Sequence, residues 1–181
     1  MTNAIRLCVY ARSLILTAAL LCPAGVQAQP AHATIDVCFV PGEPCAERIV
    51  VAINAARQEV RVQAYGFTSF PVIAALLRAK ARGVDVAVLL DRSNEEGRHF
   101  GLSRLLAAGV PVWIDTVQGI AHVKAIVIDR HLVVGGSYNY TMSAERQNVE
   151  DVTFTDSDAI AERFLREWQA RRATARAPTI P

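Results

Sequence analysis

Apolar and polar positions follow one another along the chain in a pattern that predicts strands and helices in turn. Four strands are predicted, over Thr34–Val40, Val60–Phe67, Val84–Leu90 and Val110–Ile114. Three helices are predicted between them, one from Pro44 to about Arg57, one after Ser69 and one over Leu102–Ala108. This strand–helix–strand series predicts a largely parallel sheet with helices on both faces.

The pattern changes after residue 115, where two strands follow each other without a helix between them. They are predicted over His122–Ile128 and His131–Ser137. Only Asp129 and Arg130 separate them, which predicts an antiparallel hairpin with a two-residue turn. In that register Lys124 lies opposite residue 135 and His122 lies opposite residue 137, on the same face of the sheet.

The C-terminal part of the chain completes the predicted fold. A further strand is predicted over Asn148–Thr155, and Asp156 begins a last helix with an apolar stripe. Residues 173–181 are expected to form a flexible tail. The fold class that follows is α/β, a mostly parallel mixed sheet with helices on both faces and an antiparallel hairpin.

The first 28 residues are typical of a secretory signal peptide. Arg6 and Arg12 precede the apolar run Ser13–Cys22, and small residues lead to a cleavage site after Ala28. Because the apolar run is too short to span a bilayer comfortably, cleavage is favoured over an uncleaved membrane anchor. We therefore expect a periplasmic or secreted protein with one domain over residues 29–172.

Composition narrows the class of protein. The chain has 181 residues, enough for one ordinary domain, with 52% hydrophobic and 20% charged residues, which excludes disorder and coiled coils. The net charge of +2 comes from the two arginines of the predicted signal peptide. Without them the charge is zero, so net charge gives no reason to expect a protein that coats nucleic acid non-specifically.

Two cysteines remain after signal cleavage, Cys38 and Cys45. An even pair in an exported chain predicts a disulfide, with two free buried thiols as the alternative. The turn residues Pro41 and Gly42 between them can bring a strand end back to a helix start. The spacing is a poor match to a zinc site.

The predicted hairpin gathers side chains that suit phosphate chemistry. Lys124 supplies a positive charge, Ser137 and Asn139 supply neutral donors, and His122 can act as nucleophile or proton carrier. Glu150, on the next strand, can bond the far nitrogen of an imidazole and orient it. Lys124 is one of only two lysines in the chain and lies within an apolar strand.

These residues resemble a known family. Residues 122–139 contain the pattern H-x-K-x4-D-x6-G-S-x-N of the phospholipase D superfamily, and Asn148 and Glu150 match the N-x-E that follows it in small bacterial members. The motif residues are His122, Lys124, Asp129, Gly136, Ser137 and Asn139. The size, the signal peptide and the single motif are most similar to the small secreted or periplasmic endonuclease of the superfamily.

The resemblance implies a mechanism. One histidine attacks phosphorus to form a phosphohistidine, and a second protonates the leaving oxygen and then activates water, without a metal or other cofactor. Lys124 and Asn139 are expected to bind the non-bridging oxygens, with Ser137 assisting. Because the chain has one motif, we expect a homodimer whose two His122 side chains face each other.

The remaining motif residues receive supporting roles. Asp129, in the predicted turn, and Gly136 are expected to be structural. Glu150 is expected to orient an imidazole, of its own chain or of the partner.

Three functions are compatible with these residues. The leading hypothesis is a non-specific endonuclease acting on DNA or RNA. The alternative within the superfamily is a phospholipase D acting on phosphatidyl headgroups. A hypothesis of another class, a non-catalytic nucleic-acid- or membrane-binding module, is disfavoured by the intact motif.

Other charged residues are given no catalytic role. The acids after the predicted strands are interpreted as solvated strand-end or loop groups: Asp91, Glu95, Glu96 and Asp115. Three arginines either contact substrate or form a solvated face: Arg92, Arg98 and Arg104.

Overall fold

The computed structural model describes residues 33–96 and 100–179. The predicted signal peptide lies outside these residues, as do His32, Arg98 and His99. The strands are β1 (Thr34–Val40), β2 (Glu59–Ala64), β3 (Asp85–Asp91), β4 (Val112–Asp115), β5 (Lys124–Ile128), β6 (Leu132–Gly136) and β7 (Glu150–Asp156). The helices are α1 (Cys45–Ala55), α2 (Phe70–Ala81), α3 (Phe100–Ala107), α4 (Met142–Arg146) and α5 (Asp158–Thr174).

Each predicted strand and helix is present, and β1 has the predicted bounds. The hydrophobic pattern missed α4, because five residues are too few for helical periodicity to appear. The Thr141 side chain caps this helix by accepting a hydrogen bond from the backbone amide of Ala144. A short 3-10 helix, Arg92–Glu95, follows β3 directly.

The seven strands form one mixed sheet in the order β1-β7-β6-β5-β2-β3-β4. The α/β class is confirmed, but parallel neighbours are restricted to β2–β3 and β3–β4, and the other four adjacent pairs are antiparallel. The sheet is therefore not mostly parallel, contrary to what was expected. β1 does not pair with β2, because β5, β6 and β7 lie between them and pair antiparallel with their neighbours. β1 still runs in the same direction as β2.

Helices cover both faces of the sheet, as predicted. Helices α1, α2 and α3 pack on one face, where Ile49 and Leu76 are fully buried. Helix α5 covers the other face, where Leu165 packs with Val133, and Trp168 packs with Leu89.

The predicted register of the hairpin is wrong by one residue. Ile126 pairs with Val134 and Ile128 with Leu132, so three residues instead of two connect β5 to β6. The cause is the turn, in which Asp129 has a φ of 49° and its carboxylate accepts backbone hydrogen bonds from residues 57, 58 and 59. The expected pairing of residue 122 with residue 137 is therefore absent, since β5 begins at residue 124 and β6 ends at residue 136.

The predicted disulfide is present between Cys38 and Cys45, whose Cα atoms are 5.7 Å apart. Both side chains are fully buried. The bridge joins the end of β1 to the first residue of α1, as the turn between them suggested.

The C-terminal residues differ from the expected flexible tail. Residues 173 and 174 belong to α5, and Arg176 forms a β-bridge with Ile114 of the edge strand β4. Arg176 and Thr179 both bond the carboxylate of Glu95. We call residues 175–179 the C-terminal strap.

Two acids that were expected to be solvated are buried. Asp91 and Asp115 end neighbouring parallel strands, pair in register, and are each 1% exposed. Their carboxylates find partners inside the protein, which sequence position alone does not indicate. No helix in the described part of the chain has the length and apolar character needed to cross a membrane.

Candidate active site

The candidate site lies at one end of four neighbouring strands in the middle of the sheet. The end of β2 lies beside the start of β5, where Ala64 pairs with Lys124. The end of β6 lies beside the start of β7, where Gly136 pairs with Val152. Because β2 and β6 end where β5 and β7 begin, the motif residues collect at these strand ends.

The structure brings His122 and Lys124 into direct contact. The Lys124 Nζ atom lies 2.9 Å from Nε2 of the imidazole and donates to the His122 carbonyl at 3.2 Å. Lys124 is only 9% exposed, whereas the His122 side chain is exposed. An accessible imidazole is therefore in hydrogen-bond contact with the ammonium group of a largely buried lysine.

Burial lowers the pKa of Lys124 below its ordinary value, and the negative charge of Glu150 opposes that shift. A lowered pKa means that the protein solvates the ammonium group poorly. An anionic ligand at this position would supply the charge partner that the ammonium group lacks.

Glu150 connects the N-x-E segment to the hairpin. Its Oε2 atom accepts a 2.5 Å hydrogen bond from the Ser137 hydroxyl, and its Oε1 atom accepts one of 2.8 Å from the Asn148 side chain. The Ser137 hydroxyl in turn accepts from the backbone amide of Asp151 at 3.0 Å. Within the described residues, Glu150 thus bonds Ser137 and Asn148 and makes no hydrogen bond to an imidazole.

Asn139 lies next to the segment that follows β2. A Cβ atom placed on Gly66 would come within 3.4 Å of the Asn139 Cβ atom. The Asn139 Oδ1 atom is buried and has no hydrogen-bond partner among the described residues. The side-chain amide of Asn139 is therefore incompletely paired in the free protein.

The two remaining motif residues shape the hairpin. Asp129 stabilises the turn of the hairpin, which lies at the opposite end of β5 from His122. Hydrogen bonds from the backbone amides of residues 57, 58 and 59 keep its pKa below the ordinary value, although burial acts in the opposite direction. Gly136 has a φ of 125°, and a Cβ atom there would meet the Asp151 carbonyl oxygen at 2.4 Å. Only glycine fits this position without strain.

Three residues that the sequence analysis did not place in the site lie around His122. The Tyr65 ring lies edge-on to the imidazole, with centroids 4.7 Å apart. Asp91 accepts a hydrogen bond from the backbone amide of Ala121, and Asn94 donates to the Tyr65 carbonyl. The position of Asp91 in the sequence could have indicated a role in the site, because ligands bind at the carboxyl ends of parallel strands. Nothing in the sequence indicated a role for Tyr65 except that it directly follows β2.

A metal site is not found next to these residues. In the described part of the chain, the one group of potential ligands with suitable spacing is Cys38, Glu43 and Cys45, and its two sulfur atoms form the disulfide.

Comparisons with known proteins agree with the motif. Residues 49–172 match the family model described as "Cardiolipin synthase, PLD-like domain". The chain is 40% identical over 146 residues to "Phospholipase D" of Rickettsia prowazekii, covering 81% of this chain and 71% of that protein. It is 32% identical over 135 residues to the human "Mitochondrial cardiolipin hydrolase", covering 73% of this chain and 53% of that protein.

Solved structures have the same fold. The crystal structure of "a phospholipase D family member, Nuc from Salmonella typhimurium" matches with a TM-score of 0.74 and 32% identity, over 80% of this chain and 97% of that one. "NucT from Helicobacter pylori" matches with a TM-score of 0.74 at 21% identity, over 81% of this chain and 99% of that one. The chain therefore belongs to the phospholipase D superfamily and is a hydrolase of phosphodiester bonds.

Proposed function

We propose that this phosphodiesterase is a metal-independent endonuclease that cleaves DNA or RNA through a phosphohistidine. The observation that carries the proposal is the contact between the exposed imidazole of His122 and the buried ammonium group of Lys124, 2.9 Å apart. A phosphate oxygen that binds Nζ takes the place of the imidazole, which frees the nitrogen lone pair for attack.

The reaction then proceeds in two displacements. A bond forms from the His122 nitrogen to phosphorus while the bond from phosphorus to the leaving oxygen breaks, and a second histidine protonates that oxygen. Water activated by the second histidine next attacks phosphorus and releases His122. Lys124 and the Asn139 amide hold the non-bridging oxygens, where negative charge increases in the transition state.

Ser137 has a more limited part in this proposal. In the free protein its hydroxyl hydrogen is donated to Glu150. Contact with a phosphate requires that hydroxyl to turn away from the carboxylate.

The second histidine is proposed to come from a second copy of the chain. His131, the other histidine in the described residues, lies at the turn of the hairpin and bonds Asp156 at 2.9 Å, so it does not reach the site. A two-fold dimer with the exposed His122 side chains facing each other supplies both groups from one motif per chain.

A cluster of aromatic and basic residues favours nucleic acid as substrate. Phe70 and Phe100 are both exposed, and the Arg104 guanidinium lies 5.2 Å and 4.7 Å from their ring centroids. Helix α2 begins at Phe70, shortly after the strand β2 that leads to the site. Aromatic rings next to an arginine suit the stacking of an unpaired base beside its phosphate.

A specific observation favours the alternative, a phospholipase D. Ile120, two residues before His122, is 54% exposed, and Val149, next to Glu150, is 85% exposed. Apolar side chains at the rim of a site suit a lipid surface. The Rickettsia relatives are also named phospholipase D.

The export of the protein is proposed from its first 28 residues. The Cys38–Cys45 disulfide supports a periplasmic or secreted location, because disulfides persist in oxidising compartments. N-terminal sequencing of the protein recovered from periplasm and medium tests the cleavage after Ala28.

Parallel assays in EDTA separate the candidate substrates. Purified protein is incubated with plasmid DNA, single-stranded DNA, RNA and phosphatidylcholine vesicles. We expect nucleic-acid cleavage that survives EDTA and a labelled phosphoryl group trapped on the wild type but not on His122→Asn. Cleavage of vesicles alone would favour the phospholipase, and activity that needs added metal would contradict the mechanism.

The aromatic cluster provides a second discriminator. We expect the Phe70→Ala/Phe100→Ala variant to raise KM for single-stranded DNA about thirtyfold or more, since stacking on each ring contributes about 1–3 kcal/mol. Cleavage of bis(p-nitrophenyl) phosphate should be unchanged. Phe164→Ala, an exposed phenylalanine on α5, is the control.

A further inference from the structure

Asp91 is a buried carboxylate that the proposed reaction does not use. It ends β3 and is 1% exposed. Its Oδ1 atom accepts from the Ser93 amide at 2.9 Å, and its Oδ2 atom accepts from the Ala121 amide at 2.7 Å. Burial acts to raise the pKa of Asp91, but these hydrogen bonds and the charge of Arg92 keep it below the ordinary value. The carboxylate is therefore ionised at neutral pH and makes strong bonds to both amides.

These bonds fix the backbone on one side of His122, and Tyr65 fixes it on the other. The amide of Ala121, immediately before His122, is held by Asp91. The carbonyl of Val123, immediately after it, accepts from the Tyr65 amide at 2.9 Å. His122 lies outside any helix or strand, so these two hydrogen bonds take the place of regular structure there.

The ring of Tyr65 also contacts the reactive side chains. It lies edge-on to the imidazole of His122, at 63° between the ring planes, and its centroid is 5.4 Å from the Lys124 Nζ atom. Asn94 connects the two supports, because its side chain donates to the carbonyls of both Tyr65 and Asp91, at 2.7 Å and 3.0 Å. One connected set of contacts thus links Asp91, Asn94 and Tyr65 to the backbone next to His122 and to its exposed imidazole.

We propose that Asp91 and Tyr65 are positioning residues that hold the His122 imidazole in the orientation needed for attack on phosphorus. Asp91 acts through the backbone, and Tyr65 acts through its ring. The proposal rests on the proposed role of His122 as nucleophile. Its physical basis is that an exposed side chain on irregular backbone samples several rotamers, while attack requires one geometry.

The chain contains a matched control for Asp91. Asp115 ends the neighbouring strand, pairs with Asp91 in register, and is equally buried. It also accepts from the amide two residues ahead, that of Val117, at 3.1 Å. Its other partner is the Arg171 guanidinium, on α5, instead of the backbone next to His122. Asp91→Asn and Asp115→Asn therefore remove comparable buried charges, of which only one supports the site.

The first test compares steady-state constants for bis(p-nitrophenyl) phosphate. We expect Asp91→Asn to lower kcat about tenfold or more with KM changed less than about twofold, because orientation and not binding is lost. Asp115→Asn should keep kcat within about twofold of the wild type. Tyr65→Leu should lower kcat as Asp91→Asn does, and Tyr65→Phe should restore it, because the ring and not the hydroxyl makes the contact. If Asp91→Asn does not fold, the Tyr65 pair decides the question.

The second test does not depend on activity. Nuclear Overhauser effects between the ring protons of Tyr65 and His122 should be strong in the wild type and in Asp115→Asn, and weak in Asp91→Asn. Equal kcat values in the two aspartate variants, with the effects preserved in both, would overturn the proposal. A wild type that cleaves no diester would instead remove the proposed function, and the ring-to-ring effects would still decide whether Asp91 orients the imidazole.

Discussion

Lys124 is a charged side chain that the fold keeps almost out of water. Its neighbours include the His122 imidazole and, more distantly, the carboxylate of Glu150. Because burial lowers its pKa, keeping the ammonium form in the folded state has a free-energy cost. Such a cost at a buried cation is typical of a residue kept for chemistry and not for stability.

Lys124→Met tests this trade between stability and function. We expect cleavage to fall by about a thousandfold or more, since the charge that holds the phosphate oxygens is lost. The free energy of unfolding should stay equal or rise by about 1 kcal/mol, because a buried charge is replaced by an apolar side chain of similar length. Urea denaturation measures the second effect. Lys80→Met, at the other lysine of the chain, should change neither, and a large loss of stability in Lys124→Met alone would contradict the argument.

The pH dependence of these variants has a defined sign. The lowered pKa of Lys124 means that the folded state binds fewer protons than the unfolded state between that pKa and the ordinary value of 10.5. The unfolding free energy of the wild type should therefore rise with pH in this window relative to Lys124→Met.

Gly136 is a residue whose identity the backbone geometry dictates. Gly136→Ala places a Cβ atom on the Asp151 carbonyl in a left-handed conformation, so we expect a loss of about 2–4 kcal/mol in unfolding free energy. Gly135→Ala is the neighbouring control, because its Cβ atom would meet nothing closer than 3.7 Å. Urea denaturation of both variants measures the difference. Equal stabilities would show that the turn into the motif relaxes without cost.

At the scale of elements, the C-terminal strap ties the last helix to the loop that follows β3. Its Arg176 pairs with Ile114 along β4, which protects that edge of the sheet. Arg176 and Thr179 both bind Glu95, in the 3-10 helix that also contains Asn94. The strap therefore holds the segment that supports Tyr65.

Glu95→Gln tests the strap through its pH dependence. The hydrogen bond from Arg176 lowers the pKa of Glu95 to about 2, against the opposing effect of burial. The carboxylate thus contributes stability above its ordinary value of 4.5, and this contribution is lost as the pH falls towards about 2. We expect the difference in unfolding free energy between wild type and variant to shrink over that range. Glu96→Gln, at the exposed neighbouring position, is the control.

At the scale of the whole molecule, a dimer is needed to complete the proposed mechanism. A two-fold axis beside His122 would also cover the exposed Ile120 and Val149 side chains, which are otherwise the argument for a lipid surface. The oligomeric state therefore bears on the substrate as well as on the mechanism.

Subunit mixing gives a quantitative prediction. Wild type and His122→Asn are mixed in equal amounts and allowed to exchange subunits. If both histidines are needed, only wild-type pairs are active, and the activity should be about a quarter of that of the same total amount of wild type. Independent sites would give about a half. Sedimentation of each protein alone checks that both are dimers.

Much of the fold and the site could be predicted from the sequence. The bounds of β1, the other predicted strands and helices, and the Cys38–Cys45 disulfide depend on local patterns of burial and turn residues, so the chain displays them directly. The motif around His122 is also local, because neighbours two residues apart on an extended chain share a face. Its contact with Lys124 follows from that spacing.

Only the tertiary structure shows the features that depend on residues far apart in the chain, namely the strand order, the hairpin register and the partners of the buried acids. β1 joins β7 at the far edge from β4, and the hairpin shifts by one residue because Asp129 binds amides some seventy positions earlier. Asp91 supports the backbone next to His122 across thirty residues of sequence. No local pattern separates it from Asp115, which is equally buried and serves another partner. Partners of buried charges are chosen by packing, and packing is a property of the folded chain.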